Sequence, residues 1–148
     1  MRLFYWSTAP AGVTVIQKQN FRNVQIDAIG IGLASAAAPF LPVFLARLGA
    51  TNFQVGLLTA MPAITGFLLA IFIGRFLQNR RNIIPWFSGA RFLTVLSYAL
   101  TGLVAFIVPR EYIVPAVLLI WAVATIPQTI VNISFTVVTN AVAGPERR

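Results

Sequence analysis

Cysteine and histidine are both missing from this chain, and acidic residues number only three, Asp27, Glu111 and Glu146. Without thiols or imidazoles, the chain cannot form disulfides, thiolate centres, histidine-ligated haem or the usual zinc sites. Charge of either sign is scarce: 9% of the 148 residues are charged and 58% are hydrophobic, whereas soluble domains carry a charged share of roughly 25%. A soluble domain of this size leaves roughly a third of its chain surface in water, which so apolar a composition cannot tolerate. Lipid is therefore the expected solvent for most of the chain. Eleven cations against three acids would suit a nucleic-acid partner, but they line no common polar face and no soluble module separates them. No nucleic acid is expected. Nothing resembles a nucleophile–base pair, a metal cluster or a phosphate loop, so neither an enzyme nor a cofactor is expected.

What is present is a series of long uncharged runs. Nineteen uncharged residues separate Asp27 from Arg47, 27 separate Arg47 from Arg75, 18 separate Arg91 from Arg110, and 34 separate Glu111 from Glu146. A membrane-crossing helix needs about 20 predominantly apolar residues. The runs predict an all-α, polytopic membrane domain over 24–148, with four transmembrane helices at about 24–47, 53–74, 83–108 and 113–141. Continuous apolar runs exclude a transmembrane barrel, whose strands alternate over about ten residues. The joints agree. In "LGATNFQVG", Gly49 follows the first helix and Thr51 or Asn52 can cap the second. In "VPREYIVP", Pro109 ends one helix and Pro115 fits the first turn of the next. Prolines 39, 42, 62 and 127 fall inside spans, as kinks or as hinges, and their freed carbonyls need protein or water partners there.

Residues 1–23 read as a retained cytoplasmic tail, because Ser7, Thr8, Pro10 and Gly12 break any signal-peptide core. Phe4, Tyr5 and Trp6 are expected at headgroup level. Four spans place both termini and the middle loop on one side, with Arg2, Lys18, Arg22, Arg75, Arg80, Arg81, Arg147 and Arg148. The other side holds Arg47 and Arg110. Cytoplasmic loops carry the excess of cations, so a multi-pass protein of the cell's inner (plasma) membrane with both termini inside is expected.

Polar groups within the spans need a reason. Thr125, Gln128, Asn132, Thr136 and Thr139 recur at three- and four-residue spacing in the fourth span and share one helical face. Such a stripe either joins helices through hydrogen bonds of about 0.6 kcal/mol each or lines a watery cavity. Asp27 and Arg91 are intramembrane ionisable residues and thus functional-site candidates. They form an ion pair within the bundle, or each reaches the cytoplasmic interface separately. Gly66, Ala70 and Gly74, like Gly30, Ala34 and Ala38, recur every four residues and predict close helix approach.

The stretch "LGATNFQVGLLTAMPAITGFLLAIFIGRFLQNRR" resembles the second helix and following cytoplasmic loop of the major facilitator superfamily. That loop has the form G-x-x-x-D-R-x-G-R-R/K. Gly74 matches its glycine, and Arg80 and Arg81 match its basic end. Gln78 stands at the aspartate position, Asn79 at the first arginine position, and the loop is about two residues shorter. "AGPERR" is similar to the family's P-x-x-R-G loop. The resemblance covers about 22–148 and implies an alternating-access secondary transporter of a small solute. Family members usually have twelve helices, so it also implies a truncated N-terminal fragment whose partner is the remainder of the transporter. In the family, helices one and four line the central cavity, which makes Asp27, Thr125, Gln128, Asn132 and Thr136 candidate cavity residues. The alternatives are a small four-helix protein that assembles with a partner, or a small multidrug exporter with Asp27 as its carboxylate.

Overall fold

The computed structural model describes residues 15–80 and 82–143, apart from the side chains of 16, 17, 136 and 139–143. Phe4, Tyr5, Trp6, Arg81, Arg147, Arg148 and the "GPERR" end lie outside the described residues, and of Thr136 and Thr139 only the backbone is described. The described chain is all helical: α1 (Val15–Ser35), a 3-10 turn (Ala38–Phe40), α2 (Leu41–Arg47), α3 (Asn52–Gln78), α4 (Ile84–Ile107) and α5 (Arg110–Ala143). Four stretches, Lys18–Arg47, Asn52–Gln78, Ile84–Ile107 and Arg110–Phe135, are long and apolar enough to cross a bilayer.

The first stretch differs from expectation at its start and in its middle. Helix α1 begins at Val15, inside the segment read as a tail, so Asp27 lies twelve residues along it, about 18 Å at 1.5 Å per residue. It stops at Ser35 because Pro39 has no N–H for the Ser35 carbonyl, and Pro42 has none for Ala38. The chain tightens instead: Ala36 N–H donates to the Leu33 carbonyl at 3.3 Å and Phe40 N–H to Ala37 at 3.0 Å. Pro62 and Pro127, by contrast, sit inside continuous helices, and so does Pro115, in the second turn of α5 rather than the first.

Local chemistry fixes the next joint. Gly49, at φ +90°, donates to the Ala46 carbonyl, and Ala50 N–H reaches back to Leu45, each at 3.0 Å. This is the paired closure of a Schellman end, which needs the left-handed conformation that glycine adopts freely. Thr51 Oγ1 then accepts from Gln54 N–H at 3.3 Å, while Gln54 Oε1 accepts from Thr51 N–H at 2.9 Å. That reciprocal capping box satisfies two free donors and starts α3.

Helix α5 is the hub. Of its most apolar 18-residue window 39% is buried, against 6–11% for the other three stretches, because α3 and α4 pack along it on two flanks. The core lies at the end of the α2–α3 and α4–α5 joints, where Leu41, Leu45 and Leu58 meet Ile113, Val114 and Val117. Large apolar side chains face outward elsewhere: Phe67 on α3 is 80% exposed and Phe106 on α4 is 91% exposed. Helix α1 has no buried residue among its described side chains.

The expected glycine-rich packing faces are corrected by the geometry. A Cβ at Gly30 or Gly74 would meet nothing within 4 Å, and only Gly66 faces another helix, 3.9 Å from Thr129 Oγ1. That gap is ordinary van der Waals contact, so the site has room for a methyl group. Gly49→Ala should therefore destabilise the fold by about 1–2 kcal/mol, the cost of a left-handed non-glycine residue, whereas Gly66→Ala should be neutral or stabilise by up to about 1 kcal/mol through helix propensity. Unfolding by denaturing detergent in mixed micelles measures both, and a loss at Gly66 larger than at Gly49 would contradict this packing.

Candidate functional site

Two charged side chains meet between α1 and α4. Arg91 Nε donates to both Asp27 oxygens at 3.0 Å, and Nη2 donates to Oδ2 at 2.6 Å. The contact is bidentate and charge-assisted, the strong class of ion-pair geometry. It is partly shielded: the Arg91 side chain is 15% exposed and that of Asp27 32%. Arg91 lies seven residues into α4, about 10 Å at 1.5 Å per residue. The Phe87 ring lies 5.5 Å from its Cζ and covers the guanidinium. Asp27 uses the Nε–Nη2 edge, and Nη1 has no partner among the described residues.

Cavities surround this pair. A groove of about 490 Å³ between α1, α4 and α5 is lined by Asn20, Asn23, Asp27, Ser88, Arg91 and Phe135 among others. Arg91 also borders a space of about 260 Å³ with Asn132, and a further one of about 230 Å³ with Ser35, Thr94, Tyr98, Gln128 and Asn132. Tyr98 continues the series into a mostly apolar cavity of about 370 Å³ at the α1 break, where it faces Ala34, Ala38, Thr101 and Trp121. Tyr98 and Trp121 meet edge to face at 5.7 Å.

The structure thus brings Asp27, Arg91, Gln128 and Asn132 to one set of cavities, and turns Thr125 away from it. Thr125 is 1% exposed and donates to the Ala122 carbonyl at 2.7 Å. Thr129 likewise donates to Thr125 at 2.7 Å and faces Gly66 on α3. Their hydroxyls are satisfied by their own helix. The side chain of Thr136 lies outside the described set. Sequence reasoning missed the matching stripes on the two other helices. Ser88, Arg91, Thr94, Tyr98 and Thr101 follow three- and four-residue spacing on α4, and Asn20, Asn23 and Asp27 do so on α1, with Ser35 eight residues further along. The periodicity that found the α5 stripe finds these too.

The loop motif proves mostly helical. Gly74, Arg75 and Gln78 belong to α3, and only 79–83 connect it to α4. Arg80 stacks over Phe76 at 4.6 Å and near Trp86 at 5.4 Å, and those two rings pack edge to face at 4.7 Å. A planar guanidinium over aromatic faces gives Arg80 a local role in closing the α3–α4 turn. Asn82 Oδ1 accepts from Ile84 N–H at 3.1 Å and helps start α4.

Comparisons with protein-family models, with curated proteins and with solved structures find no match. The likeness to the major facilitator superfamily rests on the quoted motifs alone.

The pair itself makes a quantitative prediction. Asp27→Asn and Arg91→Gln should each destabilise the fold, and the double variant should recover a coupling of about 1–3 kcal/mol, as expected for a charge-assisted contact between neighbours. A double-mutant cycle in mixed micelles measures it. Additive losses would mean that each side chain is solvated separately.

Proposed function

We propose that the chain is a multi-pass membrane protein that carries a small polar solute along the cavities between α1, α4 and α5. The observation that carries this reading is the set of neighbouring cavities that share Arg91 and Tyr98 in their linings, inside a molecule whose outer surface is apolar. Polar and ionisable groups inside a membrane domain are costly and tend to line solute routes. Asp27 and Arg91 sit in the route as a neutral gate, Asn132 and Gln128 offer amide donors and acceptors beyond it, and the break before Pro39 leaves α1 and α2 free to tilt separately. Lys18, Arg22, Arg75 and Arg80 gather at one end and Arg47 and Arg110 at the other, which favours the first end as cytoplasmic. Alternating access of the major facilitator kind is compatible with this layout, with α1–α5 as part of a larger transporter. The alternative of a small assembly protein draws on one observation, the row of exposed Phe53, Ile64, Phe67, Ile71 and Phe72 on α3, which lipid would cover equally well.

Single cysteines test the route and the orientation together. Methanethiosulfonate reagents react with thiolates, which form where water reaches. Asn132→Cys should label and Phe67→Cys should not, while Thr51→Cys but not Asn79→Cys should label from outside intact cells. Equal protection at Asn132 and Phe67 would mean a dry bundle, and the reverse pattern at 51 and 79 an inverted one.

A further inference from the structure

The charge count of the cavities limits what they can hold. Among the described residues, Asp27 and Arg91 are the only charged side chains lining these cavities, and they neutralise each other at 2.6 Å. A net-charged solute entering this space would surrender hydration without an uncompensated partner, a penalty that grows as the surroundings become less polar. An uncharged apolar solute would leave the free guanidinium edge and the amides of Gln128 and Asn132 unmatched. A solute with one positive and one negative end meets neither objection.

Both ends of such a solute have a place to go. Asp27 occupies the Nε–Nη2 edge of Arg91, so the opposite edge, Nη1 with the remaining Nη2 proton, is open among the described residues. That edge is a second fork able to take a carboxylate through two parallel bonds. Asp27, a third exposed and bordering the groove of about 490 Å³, keeps lone pairs free for an ammonium. Asn20, Asn23 and Ser88 line the same groove and can solvate the solute on entry. The volume falls in the roughly 300–1,000 Å³ range of small-molecule sites.

We infer that the Asp27–Arg91 pair is a recognition site for small zwitterions of the amino-acid type, with the carboxylate on the open Arg91 edge and the ammonium on Asp27. This rests on the solute route proposed above and names its substrate class. The pair is then more than a clasp: it presents both charges of the binding site, already oriented, before the solute arrives. The Phe87 ring lies over the Arg91 guanidinium, and Phe135 lines the same groove.

Three probes that share a side chain and differ in charge test the inference: leucine (zwitterion), leucinamide (cation) and N-acetylleucine (anion). Equilibrium dialysis of each radiolabelled probe against the full chain in nanodiscs at neutral pH should show leucine binding at least about tenfold more tightly than either analogue, the equivalent of one charge-assisted hydrogen bond. Arg91→Lys should weaken leucine binding by a similar factor, because a lysine point charge lacks the second fork. Equal binding of the three probes, preference for a singly charged one, or no binding at all would overturn the zwitterion site. Water access at Asn132→Cys, measured on the same preparation, separates the two ideas: a wet route without leucine preference sinks only the recognition site, and a dry route sinks both. Should Arg91→Lys fail to fold, the three-probe comparison on the native chain still decides.

Discussion

A carboxylate and a guanidinium in bidentate contact hold α1 against α4. Helix α1 has no buried residue among its described side chains, so apolar packing does little to fix its position there. In an apolar medium the balance shifts further to polar contacts, because lipid tails satisfy leucine as well as another helix does. A charge of either sign left alone in such a medium would cost several kcal/mol. The contact between Asp27 and Arg91 cancels both charges at once, and in doing so it sets the height of α1 relative to α4. The N-terminal turns of α1 then project beyond the start of α4, carrying Lys18 and Arg22, both exposed.

The other half of the bundle is organised differently. Helix α5 packs its Val117, Ala124 and Val131 among α3 and α4, and two of its buried hydroxyls, those of Thr125 and Thr129, are satisfied within the helix rather than across it. Thr125 and Thr129 donate to carbonyls three and four residues back, as Thr94 does on α4. Hydroxyls spent in this way leave the interface free to pack by shape. Ser134 Oγ and Trp121 Nε1 are buried without a partner, and both lie on α5. The closely packed α3–α5 and α4–α5 flanks contrast with the lightly packed α1 beside them, and the first helical stretch borders three of the cavities.

Much of this was legible because its causes are local. Gly49 and Thr51 announce the α2–α3 joint through their own backbone chemistry, and Pro109 separates α4 from α5. The start of α1 was not legible: Gln17, Lys18, Gln19 and Arg22 are adequate helix formers but look like a solvated tail when only hydropathy is read. The α5 stripe was half legible. On a helix turning about 100° per residue, Thr125 and Gln128 stand about 60° apart, enough to send one toward α3's side and the other toward Arg91. Spacing alone gave them a common face, and the neighbouring helices divided it. For "GRFLQNRR" the positions of Phe76 and Trp86 on either side of the turn decide the role of Arg80, and no reading of the loop by itself contains that contact.

Asp27 and Arg91 should touch when the chain sits in lipid. Solid-state NMR of the protein in bilayers, with Asp labelled at ¹³Cγ and Arg at the guanidinium ¹⁵N positions, measures their dipolar coupling directly. Asp27 is the only aspartate in the chain, so its carboxyl signal is unambiguous. An intact pair should give strong carbon–nitrogen dephasing that disappears in Arg91→Gln. An Asp27 carboxyl signal that shows no dephasing in the native chain would contradict it.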